Sequence, residues 1–540
     1  MSYICIVDDL PPEIISMLQA FYSRSPKSIR IRLEELGYIP NRDEWIISVL
    51  SEWIGDLLGN EGRNEENAKD FERFEGIIEE FRGADKRGIQ EKLEMFYVNY
   101  GHKSIGDCGY FTIFIEDVSI LAAKVIQDNP LYSGQEASTR YMDFSVSRAH
   151  SSNLHCNPYG SRESGHDVWQ RANDLLDGWF SLYTDTVLEL EKGLYKNLDR
   201  PSEISESRWG RAIKARSFDI ARSLLPIGTR TNLSWTTNLR QAADHCVRMW
   251  QHPSSEIQFL ATQIMQTMRI KYPHSFRKDW IDRVPMTGGQ ELSFEQKMQM
   301  NFWRSSDTDK MMWGSEDCKG SPGSLFQVVT GEGSRSKLLG FSSLYDISGA
   351  EKMIETMGLR NRNRFFEIPR IFDRFGSLSA LFDLDFGSFR DIQRHRPCYL
   401  PIPLVENVTS LHSWYLEQME GLLSGVVYGE FRARCGELLQ EIPEQKRFDD
   451  EDLVRQMYLS PLGASSVSPL VASLKGWVYI SEIRTTKHVH PTLREVAILM
   501  FRFIERLHPD LARGMFCDLS DDEMSIRRGD QDIFEKGTVL

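Results

Sequence analysis

The sequence predicts an α+β protein built from two diverged copies of one domain, each a small sheet flanked by helices. Three observations carry this. A strand running directly into a helix occurs once in each half, and the two helices end at comparable points. A second pair of similar segments follows in the same order. A Gly- and Ser-rich stretch lies between the copies.

In the first half, Y-F-T-I-F-I at residues 110–115 reads as a strand. Val118, Leu121, Ala122 and Val125 then recur at helical spacing, and Pro130 in Q-D-N-P is expected to stop the helix. In the second half, A-L-F-D-L-D-F at 380–386 alternates like a strand, and a helix from about Gly387 ends at Q-R-H-R-P. Aligning Gln127 with Gln393 sets Asp128-Asn129-Pro130 against Arg394-His395-Arg396. Further on, W-T-T-N-L-R at 235–240 precedes His252-Pro253 and a helix. Its expected counterpart is Y-I-S-E-I-R at 479–484, before His490-Pro491 and the amphipathic R-E-V-A-I-L-M-F-R-F-I. Residues 287–336 carry T-G-G-Q, G-S-P-G-S and G-E-G-S-R-S, which favour turns. Trp303, Met311, Met312 and Trp313 within this stretch imply that part of it packs on a neighbouring domain. The expected division is therefore an N-terminal domain at 1–286, a partly packed linker at 287–324 and a C-terminal domain at 325–540.

The 540 residues are 41% hydrophobic and 26% charged, as in an ordinary globular chain. The formal net charge of −14 argues against general adhesion to nucleic acid or anionic lipid, so an anionic ligand needs a local cluster of arginines. No apolar run is long enough to span a membrane, and the first residues do not read as a secretory signal. The eight cysteines form no C-x-x-C pair and suggest reduced thiols in a cytosol. No metal site is expected: His488-x-His490 lacks a further ligand at a typical spacing. There is neither a P-loop nor G-x-G-x-x-G.

Three segments could carry chemistry. Arg394-His395-Arg396 offers guanidinium forks suited to phosphate, or alternatively a solvated helix end that complements the dipole. S-G-Q-E-A-S-T-R-Y at 133–141 places Ser138, Thr139 and Arg140 close to Glu136, a set suited to a phosphate monoester and a ribose or ring N–H, or simply a polar loop. Arg222 in A-R-S-L-L-P precedes Asn238, Arg240, Asp244 and Arg248. The last three share a helix face and read equally as an ion-pair ladder.

These motifs together resemble the flavin-dependent thymidylate synthase (ThyX) family. G-H-K-S at 101–104 looks like its G-H-x-[ST], S-G-Q-E-A-S-T-R-Y like S-x-N-E-x-S-x-R-Y, and A-R-S-L-L-P with W-T-T-N-L-R like A-R-x-x-L-P with W-T-x-N-x-R. The C-terminal half resembles the family through R-H-R and a degenerate E-I-R…H-P. The departures are complementary. The N-terminal half has the serine but Asp128-Asn129-Pro130 in place of R-H-R, whereas the C-terminal half has R-H-R but Leu404 in place of the serine.

The resemblance implies two tandem domains with small antiparallel sheets. It also implies FAD-dependent methylation of dUMP to dTMP, with methylenetetrahydrofolate and NADPH as co-substrates. Ser104, Glu136, Asn238, Arg240, Arg394, His395 and Arg396 would contact FAD. Glu136, Ala137, Ser138, Thr139, Arg140 and Arg222 would hold dUMP, Ser138 as a substrate contact rather than a nucleophile. Arg248 would lie against the pyrimidine and favour its N3-deprotonated form, although its spacing from Asn238 is one residue shorter than the family's. The family is tetrameric, so a fused chain is expected to form a homodimer with one live site per chain. Two alternatives stay open: a related one-carbon modification of a pyrimidine nucleotide, and a non-catalytic nucleotide- or flavin-binding protein.

Overall fold

The computed structural model describes residues 3–7, 110–145, 153–159, 166–202, 204–271, 338–364, 366–405, 408–443 and 450–520. Ser104, the segment 287–324 and both expected domain boundaries lie outside the described residues.

In the N-terminal half, β1 (Tyr3–Val7), β2 (Tyr110–Ser119) and β3 (Arg230–Asn238) form an antiparallel sheet in that order. Around it lie α1 (Ile120–Gln127), α2 (His166–Asn197), α3 (Glu206–Ala221), α4 (Leu239–Trp250) and α5 (Ser255–Lys271). The C-terminal half continues with β4 (Leu338–Tyr345), α6 (Ile347–Thr356), β5 (Gly376–Asp385), α7 (Phe386–Ile392) and β6 (Cys398–Tyr399). It goes on with α8 (Ser413–Leu422), α9 (Gly425–Glu441), α10 (Asp450–Leu459), β7 (Ser465–Ser473), α11 (Leu474–Arg484) and α12 (Pro491–Leu507), followed by a short helix at Pro509–Ala512. Its sheet is also antiparallel, in the order β4-β5-β7-β6. The α+β class with small antiparallel sheets is therefore borne out.

The succession strand–helix, long helices, strand–helix, helix occurs twice. Each first helix is capped at the residue where its strand ends: Ser119 Oγ accepts from Ala122 N, and Asp385 Oδ2 accepts from Ser388 N. Val118, expected in a helix, is the penultimate residue of β2. A bulge between Ile115 and Val118, with Asp117 at φ 64°, shifts the strand's register and carries it to Ser119.

The halves meet about a local twofold at Pro226 and Pro461, which bridge each other. The flanking hydrogen bonds are reciprocal. Ile227 N donates to Ser460 O as Leu462 N donates to Leu225 O, and Gly228 N donates to Tyr458 O as Gly463 N donates to Ser223 O. The two glycines hold matching positions for one reason. A Cβ on Gly228 would lie 2.8 Å from Tyr458 O, and one on Gly463 would lie 2.6 Å from Ser223 Cβ. Among the described residues the largest hydrophobic core cluster spans both halves, with Trp179, Trp235, Trp414 and Trp477 fully buried.

This pairing corrects one sequence expectation. Pro226 matches Pro461, so Asn238 at the start of α4 matches Ser473 at the start of α11. The segment 479–484 lies inside α11 and is not the counterpart of W-T-T-N-L-R. The Gln127–Gln393 alignment holds: Ser133 bridges Thr236 as Tyr399 pairs Val471, and Ser138 then falls opposite Leu404.

Candidate active site

Four arginines surround one carboxylate between the halves. Asp391, at the end of α7, is charged against its burial by Arg222, Arg140, Arg394 and Arg484, which hold it well below the usual carboxylate range. Arg140 and Arg222 come from the N-terminal half, Arg394 and Arg484 from the C-terminal half. The expectation that a site needs both halves therefore has a structural counterpart.

Each arginine is fixed by its own element. Arg140 Nε lies 2.6 Å from Asp219 Oδ1 on α3, and its Nη2 donates to the His488 carbonyl at 3.1 Å. Burial opposes its charge, but Asp219 outweighs burial and raises its pKa. Arg222 follows α3 and is almost fully buried. It donates to Ser388 Oγ at 3.2 Å and lies 3.6 Å from Asp391 Oδ2 and 4.0 Å from Asp385 Oδ2. Arg484, the last residue of α11, donates from Nε to His395 Nε2 at 2.6 Å and from Nη2 to the Asp391 carbonyl at 2.5 Å. Burial, then Arg484 and Arg394, push His395 down to about 3, so its imidazole is neutral and accepts this bond. Arg394 is exposed, and Arg396 stacks 5.2 Å from the centre of the Tyr132 ring.

A polar cavity of about 280 Å³ opens beside Arg394 and Arg396, floored by Gln127, Gln393 and residues 132–136. Gln393 Oε1 is buried there without a hydrogen-bond partner. Two guanidiniums and an unfilled acceptor suit one end of an anionic heterocyclic ligand.

The expected site residues are tied into the protein to different degrees. Glu136 lies on the floor of the polar cavity and is held by buried cations. It is 3% exposed, its Oε1 accepts from Arg390 at 2.6 Å, and its Oε2 lies 2.6 Å from Lys124 Nζ and 2.9 Å from Gln127 Nε2. Lys124 and Arg390 occupy matched positions on α1 and α7, so one carboxylate is clamped by the same site in each copy. Thr139 Oγ1 accepts from Arg390 at 3.0 Å, and Ala137 N bonds the Asn232 carbonyl at 2.9 Å. Both are bonded within the protein, and Ser138 is half-buried beside Arg140. Asn238 caps α4 through Gln241 N, with Arg240 in the first turn of that helix.

Arg248 is not part of the arginine cluster. It donates to His245 at 3.1 Å and lines a different cavity with Asp128, Asn129, Pro130 and Leu404. Sequence reasoning missed Arg484, Asp391, Asp219, Lys124 and Arg390. A signal for Arg484 existed: Ser473 to Arg484 spans eleven residues against ten from Asn238 to Arg248, which restores the spacing the family pattern asks for.

His490 is a core group. Its Nδ1 lies 2.9 Å from Thr492 Oγ1 and its Nε2 3.2 Å from the Asp219 carbonyl. Among the described residues no group of His, Cys, Asp and Glu side chains is arranged to hold a metal ion. No described helix is long and apolar enough to cross a membrane.

Residues 63–274 match the model of a family described as thymidylate synthase complementing protein, so the resemblance read from the motifs is borne out there. Over 489 residues the chain is 22% identical to the UPF0159 protein Ta1429 of Thermoplasma acidophilum, covering 80% of this chain and 89% of that one. It is 23% identical to a UPF0159 protein of Chlamydia muridarum over 460 residues, covering 81% of this chain and 83% of that one. Both similarities are too long for one half alone. Among solved structures, a UMP/dUMP methylase from Streptomyces cacaoi bound with 5-Br UMP is similar at 17% identity. It covers 36% of this chain and 83% of that one, with a TM-score of 0.25.

Proposed function

We propose that this chain, whose residues 63–274 match the thymidylate synthase complementing family, is a flavin-dependent thymidylate synthase that methylates dUMP to dTMP. The observation that carries the reading is the inter-half arginine cluster around Asp391. Guanidiniums held by Asp219 and Asp391 keep fixed positions, and a phosphate monoester of nearly two negative charges is the ligand they match. Arg140 holds the phosphate, with Ser138 as a hydroxyl partner, and the buried Arg222 behind them adds positive charge.

Arg484, rather than Arg248, lies against the pyrimidine in this reading. Its Nε is committed to neutral His395, so its orientation is fixed before substrate arrives. A cation there stabilises the ring anion as charge develops. Arg394 and Arg396, with Gln393 between the halves, suit one end of FAD, the group that supplies the reducing equivalents when bound. Methylenetetrahydrofolate would be the carbon donor and NADPH the reductant. Two chains would pair into a homodimer of four domains, with one site per chain.

Incubation of purified protein with dUMP, methylenetetrahydrofolate, NADPH and FAD is expected to give dTMP. A different one-carbon product identifies the related modification, and no product with any pyrimidine nucleotide refutes the reading. Ser138→Ala and Arg140→Ala are expected to weaken dUMP binding about 10- to 100-fold, the cost of a charged hydrogen bond. Both should leave flavin binding unchanged, whereas Arg394→Ala lowers flavin binding and Asp128→Ala does not. Titration calorimetry and flavin absorbance separate the two effects, and unchanged dUMP affinity in both variants contradicts the assignment.

A further inference from the structure

The local twofold gives the arginine cluster a counterpart of opposite chemistry. Where one side has Asp391, Asp219, Arg222 and Ser138, the other has Val125, Val454, Met457 and Leu404. These four apolar residues line a cavity of about 460 Å³, larger than the polar one beside Arg394. All four side chains here are apolar, yet the space is not filled. A collapsed relic would have been filled to ordinary packing density.

Polar groups remain on the cavity wall, among them Gln393, His395 and Arg396 from beside the polar cavity. Asn129, the counterpart of His395, is 3% exposed and its Nδ2 is buried without a hydrogen-bond partner. Arg248 stands exposed at the rim, turned by its bond to His245. Asp128 and Arg396 also line the cavity and offset each other in charge. Burial pushes His245 and His252 down to about 3, so neither adds charge near neutral pH. The lining therefore carries one net positive charge, an unfilled donor on Asn129, an unfilled acceptor on Gln393 and an apolar floor. A nucleotide phosphate would meet Asp128, and the positions equivalent to Arg222 and Ser138 carry Met457 and Leu404 here.

We propose that this cavity is a second ligand site, for a small planar aromatic molecule with a single negative charge. The apolar floor takes the ring, and Arg248 and Asn129 Nδ2 take the acid. The proposal does not depend on the reaction assigned to the arginine cluster.

The test is a fluorescence titration of the full chain with anilinonaphthalene sulfonate, an aromatic acid of this class. Saturation at about one probe per chain is expected. Val454→Trp and Leu404→Trp, which fill the floor, should weaken binding about tenfold or more. Arg248→Ala, an exposed substitution with little effect on packing, should weaken it about two- to fivefold. Arg140→Ala in the other cluster should leave it unchanged. Thermal unfolding midpoints establish that each variant is folded, and Arg248→Ala serves if both tryptophan variants fail to fold. Probe binding unaffected by Arg248→Ala and by whichever tryptophan variants fold, or no saturable binding, overturns the proposal.

Discussion

Glu136→Ala is expected to destabilise the protein by about 3–5 kcal/mol, because it strands two buried cations. Lys124 Nζ and Arg390 Nη2 each lie 2.6 Å from the Glu136 carboxylate, and Lys124 is fully buried. Burial opposes the Glu136 charge, but Arg390 and Lys124 outweigh burial and hold its pKa below the usual carboxylate range. A depressed carboxylate pKa sets the sign of the pH dependence. Its contribution to stability is full above the unfolded-state value and is lost as pH falls through the folded-state value. Wild type should therefore lose stability on acidification more steeply than Glu136→Ala. The triple variant Lys124→Met, Glu136→Leu, Arg390→Met should be less destabilised than Glu136→Ala, since no charge is stranded. Urea unfolding at several pH values checks this. A fully stable Glu136→Ala with reduced ligand affinity would mean that Glu136 is a ligand contact after all.

The second large effect is on turnover. Arg484→Ala is expected to lower kcat for dTMP formation about 100- to 1,000-fold, the usual cost of removing a preorganised group that stabilises developing charge. Arg248→Ala should change kcat little. Arg484 reaches both His395 and the Asp391 backbone, whereas Arg248 is bonded to His245 beside the other cavity. Loss of Arg484 also removes the donor to His395, so Arg484→Lys separates charge from geometry: it restores a cation but not the two directed bonds. Steady-state kinetics on the three variants decides the assignment. A larger kcat loss in Arg248→Ala than in Arg484→Ala would return the role to Arg248.

How far the sequence could be read follows from where each signal lies. The strand–helix units were legible because period and capping are local, and because Gln127 and Gln393 close equivalent helices. The exchange of Arg394-His395-Arg396 for Asp128-Asn129-Pro130, and of Ser138 for Leu404, was legible for the same reason. The matching of β3–α4 with β7–α11 was not. Only Asn238-Leu239 against Ser473-Leu474 survives at that corner, so the resemblance of I-R to L-R drew the alignment several residues away. Lys124 and Arg390 were invisible because each looks like a solvated helix residue until the other half packs over it. Asp219 and Asp391 have local arginines in Arg216 and Arg394, but Arg140 and Arg484, which tie them to the cluster, are distant in sequence.

The account rests on one phosphate-binding site per chain, built from both halves, opposite a counterpart that has lost the chemistry. Titration calorimetry of the full chain with dUMP tests this most directly. The expected result is saturation at about one dUMP per chain, abolished by Arg140→Ala combined with Arg484→Ala. Two equivalent dUMP sites per chain, or a single site that survives loss of both arginines, would contradict it.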